Sequence, residues 1–196
     1  GKSFAIGALT GNGYISNGGN IGSGTNTLTI GGKDTDFTFN GSINGSYVVK
    51  NGTGTWTITS ENVLANAKSL KIVAGAVKLN KAAATTSMTS PTILYVQGSG
   101  ELCGVGYSLG VNLLKGGVLR PGTNKPANQT SNTGVINIQK NLSAAVGSSI
   151  YVNMFKADSL YTKPTGSKAL GWAYLNVGGN ATLNGTIYVT YNANGW

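Results

Sequence analysis

Few side chains in this chain can transfer a proton or attack an electrophile, and their types decide which chemistries are open to it. Of its 196 residues five are acidic (Asp34, Asp36, Glu61, Glu101 and Asp158), one is cysteine (Cys103) and none is histidine. Ser-His-Asp and Cys-His catalysis are excluded, and a zinc site would lack both imidazole and paired thiolates. Asp34 and Asp36, with Lys33 beside them, form the one local acid pair. Such an Asp-x-Asp on a glycine-flanked loop could hold calcium with backbone carbonyls. A glycosidase would instead need two carboxylates about 5 to 9.5 Å apart across a groove. The Gly-Gly-x-Gly-x-Asp pattern of calcium-binding coils is missing, so the expectation is an exposed turn, with no metal, no cofactor and no catalytic residue. Cys103 has no partner for an internal disulfide and reads as a small buried hydrophobe.

The basic residues suggest binding rather than catalysis. Fourteen lysines and arginines against five acids give a net charge of +9, with a single arginine, Arg120, and no tight cluster. That spread speaks against nucleic acid, which guanidinium-rich patches read. The densest stretch supplies Lys68, Lys71, Lys78 and Lys81, with Lys71 and Lys78 flanking apolar residues on two neighbouring expected strands. These four are the candidate ligand-binding residues, and a surface glycan or a host or matrix component is the expected partner. The plainer alternative is a solvated face that keeps a Thr/Asn-rich surface soluble. Tyr14, Tyr107, Tyr151, Tyr161, Trp172, Tyr174 and Trp196 are candidates for stacking on sugars, although core or end packing accounts for most such rings. Gly11-x-Gly13 and Gly104-x-Gly106 lack the strand-to-helix context of a phosphate cradle. The Asn-x-Ser/Thr triplets at Asn40, Asn44, Asn51, Asn128, Asn141, Asn180 and Asn184 read as turn composition.

The elements that must position these residues are short strands. Glycine contributes 31 residues, charged residues only 10%, and hydrophobic residues 40%. The chain must turn often, has enough apolar residues to fold, and is no helix bundle. β-Branched and aromatic runs recur between Gly, Asn and Ser: Thr27 to Ile30, Phe37 to Phe39, Tyr47 to Val49, Trp56 to Thr59, Leu70 to Val73, Val77 to Leu79, Ile93 to Val96, Val111 to Leu114, Val135 to Ile138, Ile150 to Val152, Tyr174 to Val177 and Thr186 to Val189. None has helical periodicity. Strands this short suit a coil that turns every few residues and stacks on the next. Gly52-Thr53-Gly54-Thr55-Trp56 echoes Gly98-Ser99-Gly100-Glu101-Leu102 at an offset of 46, and Ala74 to Val77 echoes Lys115 to Val118 at 41. Gly22 to Leu28 reads as a third, looser copy. Trp56, Ile58, Ile72, Val77 and Leu79 are expected to line one interior column. At roughly 20 to 25 residues per coil, eight or nine layers would make a rod on the order of 40 Å long. No apolar run approaches the length of about 18 residues that spanning a bilayer takes, so no transmembrane segment is expected.

The run Lys50-Asn51-Gly52-Thr53-Gly54-Thr55-Trp56-Thr57-Ile58, then Asn62, then Val73-Ala74-Gly75-Ala76-Val77-Lys78-Leu79, resembles the autotransporter-associated β-strand repeat, also called the passenger-associated transport repeat. Gly116-Gly117-Val118-Leu119-Arg120-Pro121-Gly122 and Leu175 to Ile187 are similar to the segment that commonly follows it. The resemblance implies a right-handed parallel β-helix in an exported Gram-negative protein, secreted or exposed at the cell surface. There such coils act as a stalk that carries adjoining modules or helps the passenger fold. Residues 61 to 69, with Val63-Leu64-Ala65-Asn66-Ala67, and the insert 158 to 171 depart from the pattern, and any particular function would sit in such loops.

The expectation is therefore an all-β, right-handed parallel β-helix over residues 1 to 196, a single domain with a first repeat region at 1 to 80 and a second at 81 to 196. Its role is expected to be a non-enzymatic structural stalk or scaffold of a secreted or surface protein, with adhesion as an added task. A carbohydrate-binding or accessory β-helix of a polysaccharide-degrading enzyme is the alternative, and an enzyme in its own right comes third. Gly1-Lys2-Ser3 reads as mid-pattern, as if excised from a longer exported protein. Gly1 to Thr10 and Tyr188 to Trp196 are the expected end caps.

Overall fold

A computed structural model describes residues 1–16, 26–60, 63–64, 66–80, 93–122, 134–155 and 173–192, with side-chain surroundings omitted at 153–155 and 190–192. Among these residues the chain is all-β, with seventeen strands and no helix, and its pairing is almost entirely parallel. Parallel partners far apart in sequence arise when a chain returns repeatedly to the same direction, and the registers resolve these returns into columns.

The first column joins β1 (Ser3–Ile6), β3 (Thr27–Ile30), β6 (Tyr47–Lys50), the start of β8 (Ser69–Asn80), the start of β9 (Ile93–Ser108), β10 (Gly110–Leu113), β13 (Leu142–Ala144) and β16 (Ala181–Leu183). Ser3, Thr27, Tyr47, Ser69, Ile93 and Gly110 succeed one another at separations of 17 to 24 residues. The steps from Val111 to Leu142 and on to Ala181 lengthen to 31 and 39. The second column joins β4 (Phe37–Thr38), β7 (Thr55–Ile58), the end of β8, the middle of β9, β11 (Val118–Pro121), β14 (Ser149–Phe155) and β17 (Thr186–Asn192). A third set of pairs appears in two pieces. β2 (Tyr14–Ser16) lies on β5 (Ser42–Asn44), while the end of β9 lies on β12 (Gly134–Ile138), which lies on β15 (Ala173–Val177). These stacked parallel columns are consistent with a β-solenoid.

Alternation along each strand sets the core. In the second column Phe37, Trp56, Val77, Leu102, Leu119 and Ile150 follow one another in register, and all are buried. Phe37 and Trp56 stack at 5.9 Å between ring centres. Trp56 and Val77 share this row and Ile58 faces Leu79, but Ile72 belongs to the first column, between Lys50 and Val96. The five residues expected in one column thus line two walls of a shared interior.

The offset of 46 holds in space, because Trp56 lies on Val77 and Val77 on Leu102. The offset of 41 slips to 42, since Ala76 aligns through Glu101 with Val118. The third copy is corrected: Leu28 pairs with Phe4 and Val48 in the first column, whereas Trp56 stands in the second, and residues 22–25 lie outside the described residues. The expected short strands at Leu70 to Val73 and Val77 to Leu79 are one strand, β8, and β9 passes through all three columns.

Glycine makes the corner between the first two columns. Gly31, Gly52, Gly75, Gly98, Gly116 and Gly147 all have positive φ and recur once per layer. A Cβ on Gly52 would come within 2.0 Å of the Gly31 carbonyl oxygen, and one on Gly116 within 2.1 Å of that of Gly98. Only a residue without a side chain lets successive corners stack this closely.

The expected end caps are also corrected. β1 and β17 are in-register members of the columns, bonded on one side to β3 and β14. Residues 193–196 lie outside the described residues.

Candidate functional site

The four candidate lysines do not form one cluster. Lys71 stands on the outward face of the first column, where its register neighbours are Val49 and Tyr95. Lys68 lies just before that strand, its ammonium 5.4 Å from the centre of the Tyr47 ring. Lys78 is on the same strand as Lys71 but past the corner, on the second column between Thr57 and Cys103. The two do not flank apolar residues on neighbouring strands, because β8 bends between Ile72 and Ala74 and turns them onto different walls. Lys81 lies outside the described residues.

Around Lys68 and Lys71 the outer wall of the first column is hollowed into a groove of about 600 Å³. Its walls include Tyr47, Val49, Ile93 and Tyr95. Tyr47 is 40% exposed and Ile93 39%. Strand alternation presents these side chains, since Val48, Leu70 and Leu94 from the same strands point into the core. Among the described residues that line it, none is acidic.

Of the rings named from sequence as sugar platforms, none that is described belongs to it. Tyr151 stacks on Tyr188 at 4.6 Å beneath the Arg120 guanidinium, which is 4.0 Å from the Tyr151 ring centre. Tyr107 packs against the core. Tyr14 and Tyr174 are exposed elsewhere, the Tyr14 hydroxyl accepting from Asn44 Nδ2 at 2.5 Å. Tyr161, Trp172 and Trp196 lie outside the described residues. The rings that line it are Tyr47 and Tyr95, and Ser-Tyr-Val and Leu-Tyr-Val look like any strand until the columns bring them together.

The acid pair is engaged in the fold. Asp34 Oδ1 accepts the Thr53 amide and Asp36 Oδ1 the Thr55 amide, both at 2.7 Å, and Asn40 continues the series by accepting the Thr59 amide and hydroxyl. Each bond spans 19 residues, one layer. Among the described residues no group of three or more possible ligands gathers to hold a metal.

Sequence reasoning also missed the role of Lys50. It sits fully buried in a row otherwise made of Ile6, Ile30, Ile72, Val96 and Leu113. Its ammonium turns toward the glycine corner and donates to the carbonyls of Asn51 (2.9 Å), Gly52 (2.8 Å) and Ala74 (3.2 Å). Burial lowers its pKa, while Asp34 and then Asp36 pull it back up. The Lys-x-Gly-x-Gly spacing was the visible signal: a lysine can tie two stacked corners together only where glycines bring their carbonyls close.

Cys103 is not the buried hydrophobe expected. It occupies an outward position opposite Lys78 and Arg120 and is only partly covered. Burial and the neighbouring Glu101 charge push its thiol up to about 12, against the opposing pull of Lys78 and Arg120. A thiol so protonated is a poor nucleophile at neutral pH. Glu101 pairs with Arg120 across the next layer at 3.4 Å.

Among the described residues no helix is long and apolar enough to cross a membrane. Comparison with family models, with curated proteins and with solved structures finds no match for this chain.

Proposed function

We propose that the chain is a right-handed parallel β-helix serving as a structural stalk of a secreted or surface-exposed Gram-negative protein. In this reading it belongs with the autotransporter-associated β-strand repeats, carries adjoining modules of the same polypeptide, is not an enzyme, and adds adhesion through a surface glycan. The observation that carries the reading is that every position of the Lys50-Asn51-Gly52-Thr53-Gly54-Thr55-Trp56 run has a stacking task. Lys50 ties two corners, the Asn51 amide donates to the Ile30 carbonyl of the previous layer, Gly52 and Gly54 admit that layer's carbonyls, Thr53 and Thr55 bond to Asp34 and Asp36, and Trp56 fills the core. A repeat whose residues all serve the layer above or below is suited to bearing length rather than turning over a substrate. With Asp34 and Asp36 holding backbone amides, the local acid pair is committed to structure, which weighs against the enzyme reading.

The test is display. The chain is placed between an N-terminal epitope and an outer-membrane translocator in a Gram-negative host. Surface exposure of the epitope, with the intervening chain resisting protease on intact cells, is the expected result. An epitope trapped in the periplasm, or a chain digested as fast as a flexible linker, contradicts the stalk.

A further inference from the structure

The columns end in strand edges that match each other. β1 bonds only to β3, β16 only to β13 and β17 only to β14, so among the described residues no strand lies beyond β1 at one end or beyond β16 and β17 at the other. Their inward side chains stand in the open: Phe4 at the first end, and Leu183, Ile187 and Val189 at the last, are all exposed. Such an edge is a template for another strand, and soluble proteins usually blunt it with charge. Here that charge is missing, since no charged residue follows Lys168 and Lys2 alone precedes Lys33. Every step along the first column is parallel, and its inward rows run in register from end to end. One row opens on Phe4 and closes on Ala181, and the other opens on Ile6 and closes on Leu183. A second copy placed beyond β16 with the same polarity sets Phe4 over Ala181, the largest side chain of that row over the smallest, and Ile6 over Leu183. Tail-to-tail pairing would instead reverse the strands, against the parallel pairing of the columns, and leave Phe4 in water.

We propose that copies of this chain stack head to tail, β1 of one pairing in parallel with β16 of the next so that Phe4 lies opposite Ala181. Main-chain bonds supply the attraction, and the alternating apolar side chains fix the register. Because the contact joins two different surfaces it does not close, and copies add one after another into a rod. The paired edge is short, four residues against three, so association is weak and the dilute chain is a monomer with open ends. The inference adds self-association to the stalk reading and is independent of glycan binding.

Sedimentation velocity on the full chain, from about 1 µM to about 1 mM, should show the monomer giving way to a series of growing species. Phe4→Lys and Leu183→Lys each put a charge on one open edge, at a side chain already exposed in the monomer, and each alone should weaken association more than about tenfold. Val146→Lys, the same charge on the exposed turn between β13 and β14, should grow like the native chain. The decisive arm is an equimolar mixture of Phe4→Lys and Leu183→Lys. Each keeps one intact end, so the mixture should form one-to-one pairs and stop there. A native chain that stays monomeric throughout overturns the proposal, as does a mixture that stays monomeric while both variants keep the native circular dichroism. A dimer that grows no further, or that persists in Phe4→Lys, marks tail-to-tail pairing and overturns it too, and equal loss in Val146→Lys would make the effect general repulsion. One readout needs no variant: amides of β1 and β16 in the native chain should gain exchange protection together as concentration rises, and a gain in β16 without β1 contradicts the head-to-tail contact.

Discussion

Ile150 and Ile187 are the same amino acid in the same register one layer apart, yet Ile150 is 3% exposed and Ile187 46%. The contrast separates two regions. At Trp56, Val77, Leu102 and Leu119 the inward side chain has a paired strand above and below, and all four are fully buried. In the final layer, Leu183, Ile187 and Val189 follow the same inward pattern but are 44, 46 and 56% exposed, because no described strand pairs beyond them. Phe4, opposite Leu28 in the first layer, is 55% exposed for the same reason. Sequence pattern decides which way a side chain points, whereas burial depends on having a neighbour on both sides. Stability in a stacked chain is therefore carried by the interior layers.

Substitutions at matched register positions test that comparison most sharply. Trp56→Ala should cost about 4 kcal/mol in urea unfolding, and Ile187→Ala about 1 kcal/mol or less, because only the first opens a cavity closed on both sides. Equal costs would mean that the last layer is packed as tightly as the middle.

The corner comes next. Gly52→Ala should lose about 3 kcal/mol, since a side chain there meets both a positive φ and the Gly31 carbonyl. Alanine at Gly13, where an added Cβ meets nothing within 4 Å, should be near neutral. Lys50→Met should cost about 2 kcal/mol, the loss of three carbonyl bonds partly offset by removing a buried charge. Its titration has a definite sign. Burial holds the folded pKa below the ordinary 10.5, so between those two values the unfolded chain binds more proton and stability rises with pH. The urea midpoint of the native protein should gain on that of Lys50→Met as the pH climbs toward 10.5. A constant difference would place the ammonium in water.

A smaller effect than at the corner is expected at the acid ladder, where Asp36→Ala should cost about 1 kcal/mol by freeing one amide at an exposed corner. If Asp36→Ala cost as much as Trp56→Ala, the ladder rather than the core would be holding the layers together.

The same contrast explains what could be read in advance. Alternation in Thr55 to Ile58 and Val77 to Leu79 gave both strand identity and inward face, and the offset of 46 proved to be two layers. Strand ends were less legible. In β8 and β9 the pairing runs on through the glycine corners, so Gly75 and Gly98 mark bends inside strands rather than breaks between them. Lys50 was hidden by its type: a lysine in an alternating strand reads as solvated until the carbonyls that receive it are known. The groove was half legible, since Lys68 and Lys71 stood out by charge density. Tyr47 and Tyr95 reach them only through registers set by the turns between strands. The caps failed because an in-register end strand and a capping strand have the same local pattern, and only the next layer distinguishes them.

Residue-resolved hydrogen exchange on the full chain tests the layered account most directly. The bonded amides of β7, β8, β9 and β11 should exchange slowest and together, while those of β16 and β17 exchange orders of magnitude faster, as frayed ends do. Equal protection from β7 through β17, or fastest exchange within β8 and β9, would contradict it.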